Sequence, residues 1–104
     1  MKRSVTVLPG DGIGPEVTAQ AAAVLQAAAA RFDAEIALSS ALIGGAAIDA
    51  ENSPLPETSL ASCEKSDAIF LGAVGGPQWA NVPANLRPEQ GLLDLRRALG
   101  LFAN

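Results

Sequence analysis

The stretch LPGDGIGPEV, residues 8–17, decides the fold of this chain, because it joins a short apolar run to a helix-forming segment through a glycine-rich loop. The glycines of this loop stand at alternate positions, Gly10, Gly12 and Gly14. A dinucleotide-binding fingerprint requires its third glycine at position 15, where this chain has a proline. A Walker phosphate loop ends in Gly-Lys-Ser or Gly-Lys-Thr, which the stretch also lacks.

The charges around the loop also argue against a bound phosphate. Asp11 and Glu16 place two carboxylates at the amino end of the following helix, where a phosphate would otherwise meet free N–H groups and the positive end of the helix dipole. Pro15 suits the first turn of that helix. On these local grounds the loop is predicted to be a tight turn between strand and helix, without a ligand.

The first half of the chain alternates between strand and helix patterns. β-branched residues predict a strand over 4–8, and apolar positions at helical spacing, among them Val17, Val24 and Phe32, predict a helix over 15–31. A second strand is expected over 34–40.

In the second half, segment 44–59 is expected to be a loop with one helical turn before its prolines. Thr58 or Ser59 is predicted to cap a short helix that ends at Lys65. The continuous apolar run over 67–74 is typical of a central parallel strand.

A turn-rich segment over 75–91 precedes a last helix, which continues to Leu99 and has Gly100 as its carboxyl-terminal cap. Leu95 and Leu99 are expected to face the core. This alternation predicts one α/β domain over 1–104, with a parallel sheet covered by helices. Because no closing strand follows the last helix, the sheet is expected to be incomplete and the chain to be truncated at Asn104.

Composition excludes several classes of function. A net charge of −4 with scattered Lys and Arg residues gives no basic stripe, so nucleic acid is not an expected partner. The chain has no histidine and one cysteine, which excludes the usual zinc sites and an internal disulfide. Cys63 is expected to be an inert, small apolar residue. No apolar run is long enough for a signal or a membrane span, so a cytoplasmic protein is expected.

Four phrases, taken in order, resemble one protein family. VLPGDGIGPEV, GGAAID, LGAVGGPQW and RPEQGLLDLR followed by LFAN are similar to the amino-terminal part of the isocitrate/isopropylmalate dehydrogenase family, and the resemblance covers all 104 residues. The first phrase is common to several branches, whereas GAVGGPQW with RPEQGLLDLR is specific to the isopropylmalate branch. The resemblance implies an NAD-dependent decarboxylating oxidoreductase of leucine biosynthesis that uses Mg²⁺ or Mn²⁺, acts as a homodimer and has a nucleotide fold distinct from Rossmann.

The last helix carries the candidate substrate residues. If it begins at Pro88, one face presents Glu89, Leu92, Leu93 and Arg96 at positions i, i+3, i+4 and i+7. An arginine fork and a leucine surface match the carboxylates and the branched alkyl group of 3-isopropylmalate. The resemblance implies these roles and places Glu89 between substrate and nicotinamide. Leucines at this spacing are also typical of a plain core, and Arg96 with Arg97 of a solvated face.

The resemblance also implies the cofactor side of the site. Ile13 occupies the position that packs on the cofactor, and the segment along it comprises Gly75, Gly76, Pro77, Gln78, Trp79 and Glu89. Gln78 stands where the family commonly has a lysine. Trp79 has a second interpretation, in which it only pins its loop.

The chemistry of decarboxylation needs groups that this sequence lacks. A base, an acid and a divalent cation are required, yet the chain has no tyrosine, and no aspartates have the spacing of a metal site. The resemblance implies that these groups lie beyond Asn104 and in a second subunit, so the chain alone is expected to be inactive. Two alternatives stay open: a non-catalytic interaction module that pairs through its open sheet edge, and a D-malate or tartrate dehydrogenase. The adjacent leucines of the last helix argue against the smaller substrates.

Overall fold

The computed structural model describes residues 1–101, and the chain end predicted to be a truncation lies outside them. The strands are β1 (Lys2–Gly10), β2 (Glu35–Ser40) and β3 (Ala68–Ala73). The helices are α1 (Gly14–Arg31), α2 (Gly44–Glu51), α3 (Glu57–Lys65) and α4 (Pro88–Leu99), with short 3-10 turns at Pro77–Trp79 and Ala84–Leu86. The predicted α/β class is confirmed.

All three strands are parallel, and their order in the sheet is β2-β1-β3. The prediction that residues 67–74 form a central strand is wrong for the part of the chain that the structure describes, since β1 is central and β3 pairs with β1 alone. A continuous apolar run indicates that both faces of a strand are covered. It does not indicate how many strands pair with that strand.

The two faces of β1 meet different helices. Thr6 Oγ1 donates to the carbonyl of Ser62 on α3, while Val5 lies beside Leu25 of α1. This alternation follows from the two-residue period of a strand. Because the chain leaves β1 toward β2 on one side and returns to β3 on the other, the crevice between the carboxyl ends of β1 and β3 is the topological switch point of the sheet.

The main core lies between the sheet and helices α2 to α4. Its buried members are Leu8, Ile43, Cys63 and Leu95, and Leu99 packs against them, so both leucines of α4 predicted to face the core do so. Burial raises the pKa of the Cys63 thiol, and the charge of Glu64 adds to this effect. A buried thiol that resists ionisation behaves as the inert apolar residue predicted from the sequence.

Two predictions for the connection between β2 and β3 are wrong. The segment after residue 43, expected to be mostly loop, forms the two-turn helix α2. The following helix begins at Glu57 after an extended Pro56, and neither Thr58 nor Ser59 caps it. Ser59 lies inside the helix, where its hydroxyl donates to the carbonyl of Leu42 at 2.6 Å. Its hydroxyl therefore joins α3 to the loop before α2 instead of closing a helix end.

Helix α1 is confirmed, but several of the large apolar residues whose spacing predicted it are exposed. Val17, Val24 and Phe32 are exposed, whereas its buried residues are Gly14, Thr18 and Ala29. These residues are small, which lets an alanine-rich helix lie close to the sheet with few large side chains.

Candidate functional site

The glycine loop closes tightly against β3 at the switch point. Gly10 has a φ of 77°, and a Cβ at this position would meet the carbonyl oxygen of Ala73. A Cβ on Gly14 would meet the carbonyl oxygen of Pro9. These glycines therefore serve a close backbone approach between β1, α1 and β3, which confirms the tight turn predicted from the sequence.

Asp11 is the centre of this junction, and its orientation corrects the sequence interpretation. Its carboxylate bonds at the amino end of α2 and not within α1, and 4% of the residue is exposed. One carboxylate oxygen accepts N–H groups from Gly45 at 2.7 Å and from Gly75 at 2.8 Å, and the other accepts from Ala46 at 2.7 Å. The Asp11 N–H donates to the Ala73 carbonyl at 2.6 Å. Asp11 thus caps a helix distant in sequence and holds the segment that follows β3.

Segment 75–79 is fixed to α2 at its far end by Trp79. The indole is buried and packs against Gly45, where a Cβ would overlap the six-membered ring. The indole Nε1 donates to Asp49 Oδ1 at 3.1 Å. Trp79 therefore pins its loop, as one of the two interpretations of the sequence predicted, and its ring faces α2.

The near end of this segment meets the first turn of α4. Gly75 has a φ of 103°, and a Cβ at this position would meet a carboxylate oxygen of Glu89. Glu89 therefore reaches back from α4 to cover Gly75. The side chains of Ile13, Pro77 and Gln78 are exposed around this crevice, Ile13 to 68%. The loop after β1 thus carries an exposed apolar residue, and the segment after β3 carries glycine backbone with a carboxylate over it.

Helix α4 begins at Pro88, as the spacing argument assumed, but its candidate residues divide into three environments. Leu92 and Arg96 line an open cleft of about 390 Å³ beside β3, and its other lining residues include Ile69, Leu71 and Leu95. Leu93 is 52% exposed outside this cleft. Glu89 lies with Gly75, as described above. The structure thus brings together Leu92 with Arg96 and Glu89 with the segment after β3.

Metal ligands do not cluster in residues 1–101: no group of three or more His, Cys, Asp or Glu residues there could hold a metal ion. Among the same residues, no helix has the length and apolar character needed to cross a membrane.

Sequence reasoning missed the roles of Asp11, Gly45 and Asp49. The sequence places the Asp11 carboxylate at α1 because helix-terminus rules consider neighbours in sequence, whereas its partner Gly45 is 34 residues away. Two features of the sequence could have indicated this contact. An acidic residue stands inside the glycine loop, and the segment GGAAID begins with two glycines and has no polar residue before it to cap a helix.

The fold of this chain is similar to those of two solved dehydrogenase structures. The chain is similar to a β-decarboxylating dehydrogenase from Thermococcus kodakarensis, with 34% identity and a TM-score of 0.76, over 96% of this chain and 27% of that one. It is also similar to isocitrate dehydrogenase from Methylococcus capsulatus, with 28% identity and a TM-score of 0.74, over 97% and 27% of the two chains. The fold is therefore that of the decarboxylating dehydrogenase class.

The sequence profile of isocitrate/isopropylmalate dehydrogenase matches residues 4–104, and the chain belongs to this family. It is 59% identical over 104 residues to the 3-isopropylmalate dehydrogenase of Nitratidesulfovibrio vulgaris and 56% identical to that of Bacillus subtilis. These matches cover all of this chain but 29% and 28% of the relatives, so the chain spans less than a third of their length.

Proposed function

We propose that this chain is the amino-terminal part of an NAD-dependent 3-isopropylmalate dehydrogenase, the enzyme that oxidises and decarboxylates 3-isopropylmalate in leucine biosynthesis. The observation that carries the proposal is the identity of 56–59% with two 3-isopropylmalate dehydrogenases along the whole chain. The similar isocitrate dehydrogenase is only 28% identical to this chain over the aligned residues. This difference favours the isopropylmalate branch over the isocitrate branch.

The substrate residues in this proposal come from α4. Arg96 binds a carboxylate of 3-isopropylmalate, because a guanidinium presents two parallel N–H donors to the two oxygens of a carboxylate. Leu92 and Leu93 supply apolar surface for the isopropyl group. The position of Leu92 beside Arg96 in one cleft supports this pairing, and the exposure of Leu93 leaves it available to a ligand. Glu89 lies between the substrate and the nicotinamide ring.

The cofactor residues in this proposal lie at the switch point of the sheet, where ligands bind in open α/β sheets. The exposed Ile13 packs on NAD, and the backbone of Gly75 and Gly76 permits its close approach. Pro77, Gln78, Trp79 and Glu89 complete the segment along the cofactor. The neutral Gln78 contributes no positive charge there. When bound, NAD accepts the hydride from the hydroxyl carbon of the substrate.

The remaining parts of the site belong to the rest of the enzyme in this proposal. The donor set of residues 1–101 does not fit a divalent cation, so the ligands of Mg²⁺ or Mn²⁺ lie outside this segment. A second subunit of a cytoplasmic homodimer completes the active site. Residues 1–104 alone are expected to form no NADH from 3-isopropylmalate, because the described residues 1–101 hold no cluster of cation ligands to stabilise the enolate.

Steady-state kinetics of the full-length enzyme test the proposal. The enzyme should form NADH from 3-isopropylmalate in preference to D-malate and isocitrate. Arg96→Lys keeps the charge but loses the fork, so kcat/KM for 3-isopropylmalate should fall roughly tenfold or more, with KM for NAD changed by less than about twofold.

The matched control is Arg97→Lys, the exposed neighbour on another face of α4, which should leave both constants unchanged. An enzyme that prefers D-malate or isocitrate contradicts the proposed function. Normal kinetics in Arg96→Lys contradict only the role of Arg96.

A further inference from the structure

We propose that Asp11 is a positioning residue for the cofactor side of the site, because its buried carboxylate joins the amino end of α2 to the backbone N–H of Gly75. This inference rests on the proposed function, in which segment 75–79 lies along NAD. It assigns to Asp11 a role in nicotinamide cofactor binding without contact with the cofactor.

The geometry of the carboxylate makes the coupling direct. One oxygen accepts from both Gly45 and Gly75, so a single atom holds α2 and the segment after β3 together. The second oxygen accepts from Ala46. The backbone N–H of Asp11 is also bound, to the Ala73 carbonyl. Asp11 is therefore fixed on both its main chain and its side chain, and displacement of its carboxylate would release Gly75.

The side chain at position 11 satisfies all three backbone N–H donors only if both of its terminal atoms are hydrogen-bond acceptors, as they are in a carboxylate. Asparagine has one acceptor oxygen and one NH₂ group, so Asn at position 11 would place a donor against the N–H of Ala46 or against those of Gly45 and Gly75. At a residue only 4% exposed, water cannot readily replace the lost acceptor. The substitution therefore leaves at least one backbone N–H unsatisfied at the junction.

The hydrogen bond from Gly75 to Asp11 fixes the position of the segment proposed to meet NAD. Its φ of 103° is a conformation that few residues adopt, and Glu89 lies directly over it. Trp79 fixes the other end of the segment through Asp49. With one end released, the backbone of Gly75 and Gly76 loses its fixed position, while Leu92 and Arg96 stay in place on α4 beside β3.

Asp11→Asn in the full-length enzyme tests the inference, with Asp67→Asn as the matched control. The Asp67 carboxylate also accepts an N–H between β1 and β3, from Ser4 at 2.8 Å, but it is exposed and lies at the opposite end of the strands. Asp11→Asn should raise KM for NAD about tenfold and change KM for 3-isopropylmalate by less than about twofold, since the uncharged amide weakens or loses the hydrogen bond to Gly75 in either orientation.

Amide hydrogen exchange provides a readout independent of turnover. In Asp11→Asn, exchange should accelerate at Gly45, Ala46 and Gly75 and stay unchanged in the middle of β1, whereas Asp67→Asn should show neither change. An unchanged KM for NAD, or an equal rise in both KM values, overturns the inference. Inactivity of the wild-type enzyme on 3-isopropylmalate refutes the proposed function instead.

If Asp11→Asn does not fold, amide hydrogen exchange of the wild-type enzyme still tests the inference. Addition of NAD should slow exchange at Gly45 and Ala46 as well as at Gly75, because all three amides share the Asp11 carboxylate. Protection confined to segment 75–79 would show that Asp11 does not couple the two elements, and would overturn the inference.

Discussion

Shortening Leu95 to alanine in the full-length enzyme tests how strongly the buried side of α4, which also forms part of the wall of the cleft, stabilises the fold. Leu95 is 3% exposed and packs in the cluster with Leu8, Ile43 and Cys63. The substitution removes three carbons, which at about 0.8 kcal/mol each corresponds to about 2.4 kcal/mol of lost transfer free energy. The cavity left behind adds to this, so the free energy of unfolding should fall by about 3–4 kcal/mol.

Leu93→Ala is the matched comparison on the same helix. Leu93 is 52% exposed, so about half of the transfer term applies and no closed cavity forms, which gives a loss of about 1 kcal/mol. The proposed contact with the isopropyl group predicts instead a loss of about 1–3 kcal/mol in discrimination between 3-isopropylmalate and D-malate.

Urea unfolding followed by far-ultraviolet circular dichroism measures the stability of both variants, and steady-state kinetics measure their specificity. Equal destabilisation by Leu93→Ala and Leu95→Ala would refute the division of α4 into a buried and an exposed side. A loss of specificity in Leu95→Ala, with the wild-type stability retained, would refute it as well.

Two further predictions concern the packing around the sheet. Gly10→Ala should lower the free energy of unfolding by about 2 kcal/mol or more, because the added Cβ meets the Ala73 carbonyl oxygen. Gly12 also has a left-handed conformation but faces open space, so Gly12→Ala should lower the free energy of unfolding clearly less in the same urea titration. Burial and the charge of Glu64 raise the pKa of the Cys63 thiol, so iodoacetamide should alkylate Cys63 more slowly at pH 8 in the native protein than in urea; equal rates would contradict its burial.

The strands and the two long helices were predictable because their signals are local. The β-branched run of β1 and the helical spacing of α1 and α4 each lie within one element, and the structure has them within a few residues of the predicted bounds. The helix α2 was not predictable in this way, since its amino end depends on Asp11, a residue of another loop.

The same distinction applies to the candidate site, where features within one helix were predictable from the sequence and contacts between elements were not. The helical period predicted that Leu92 and Arg96 share a face, and both line one cleft. The contact of Glu89 with Gly75 depends on how α4 packs beside β3, which no spacing within α4 encodes. The exposed apolar residues of α1 show a second limit of sequence periodicity. The spacing predicts that these residues share one face of the helix, but it does not predict whether that face packs against the sheet.

The indole of Trp79 has an optical consequence. This sequence contains one tryptophan and no tyrosine, so the near-ultraviolet emission of these 104 residues comes almost entirely from one ring. Trp79 is 8% exposed, its ring rests on Gly45 and its indole N–H donates to Asp49. Its emission wavelength and its quenching by acrylamide therefore report one event, the separation of segment 75–79 from α2, without a dye or an engineered label.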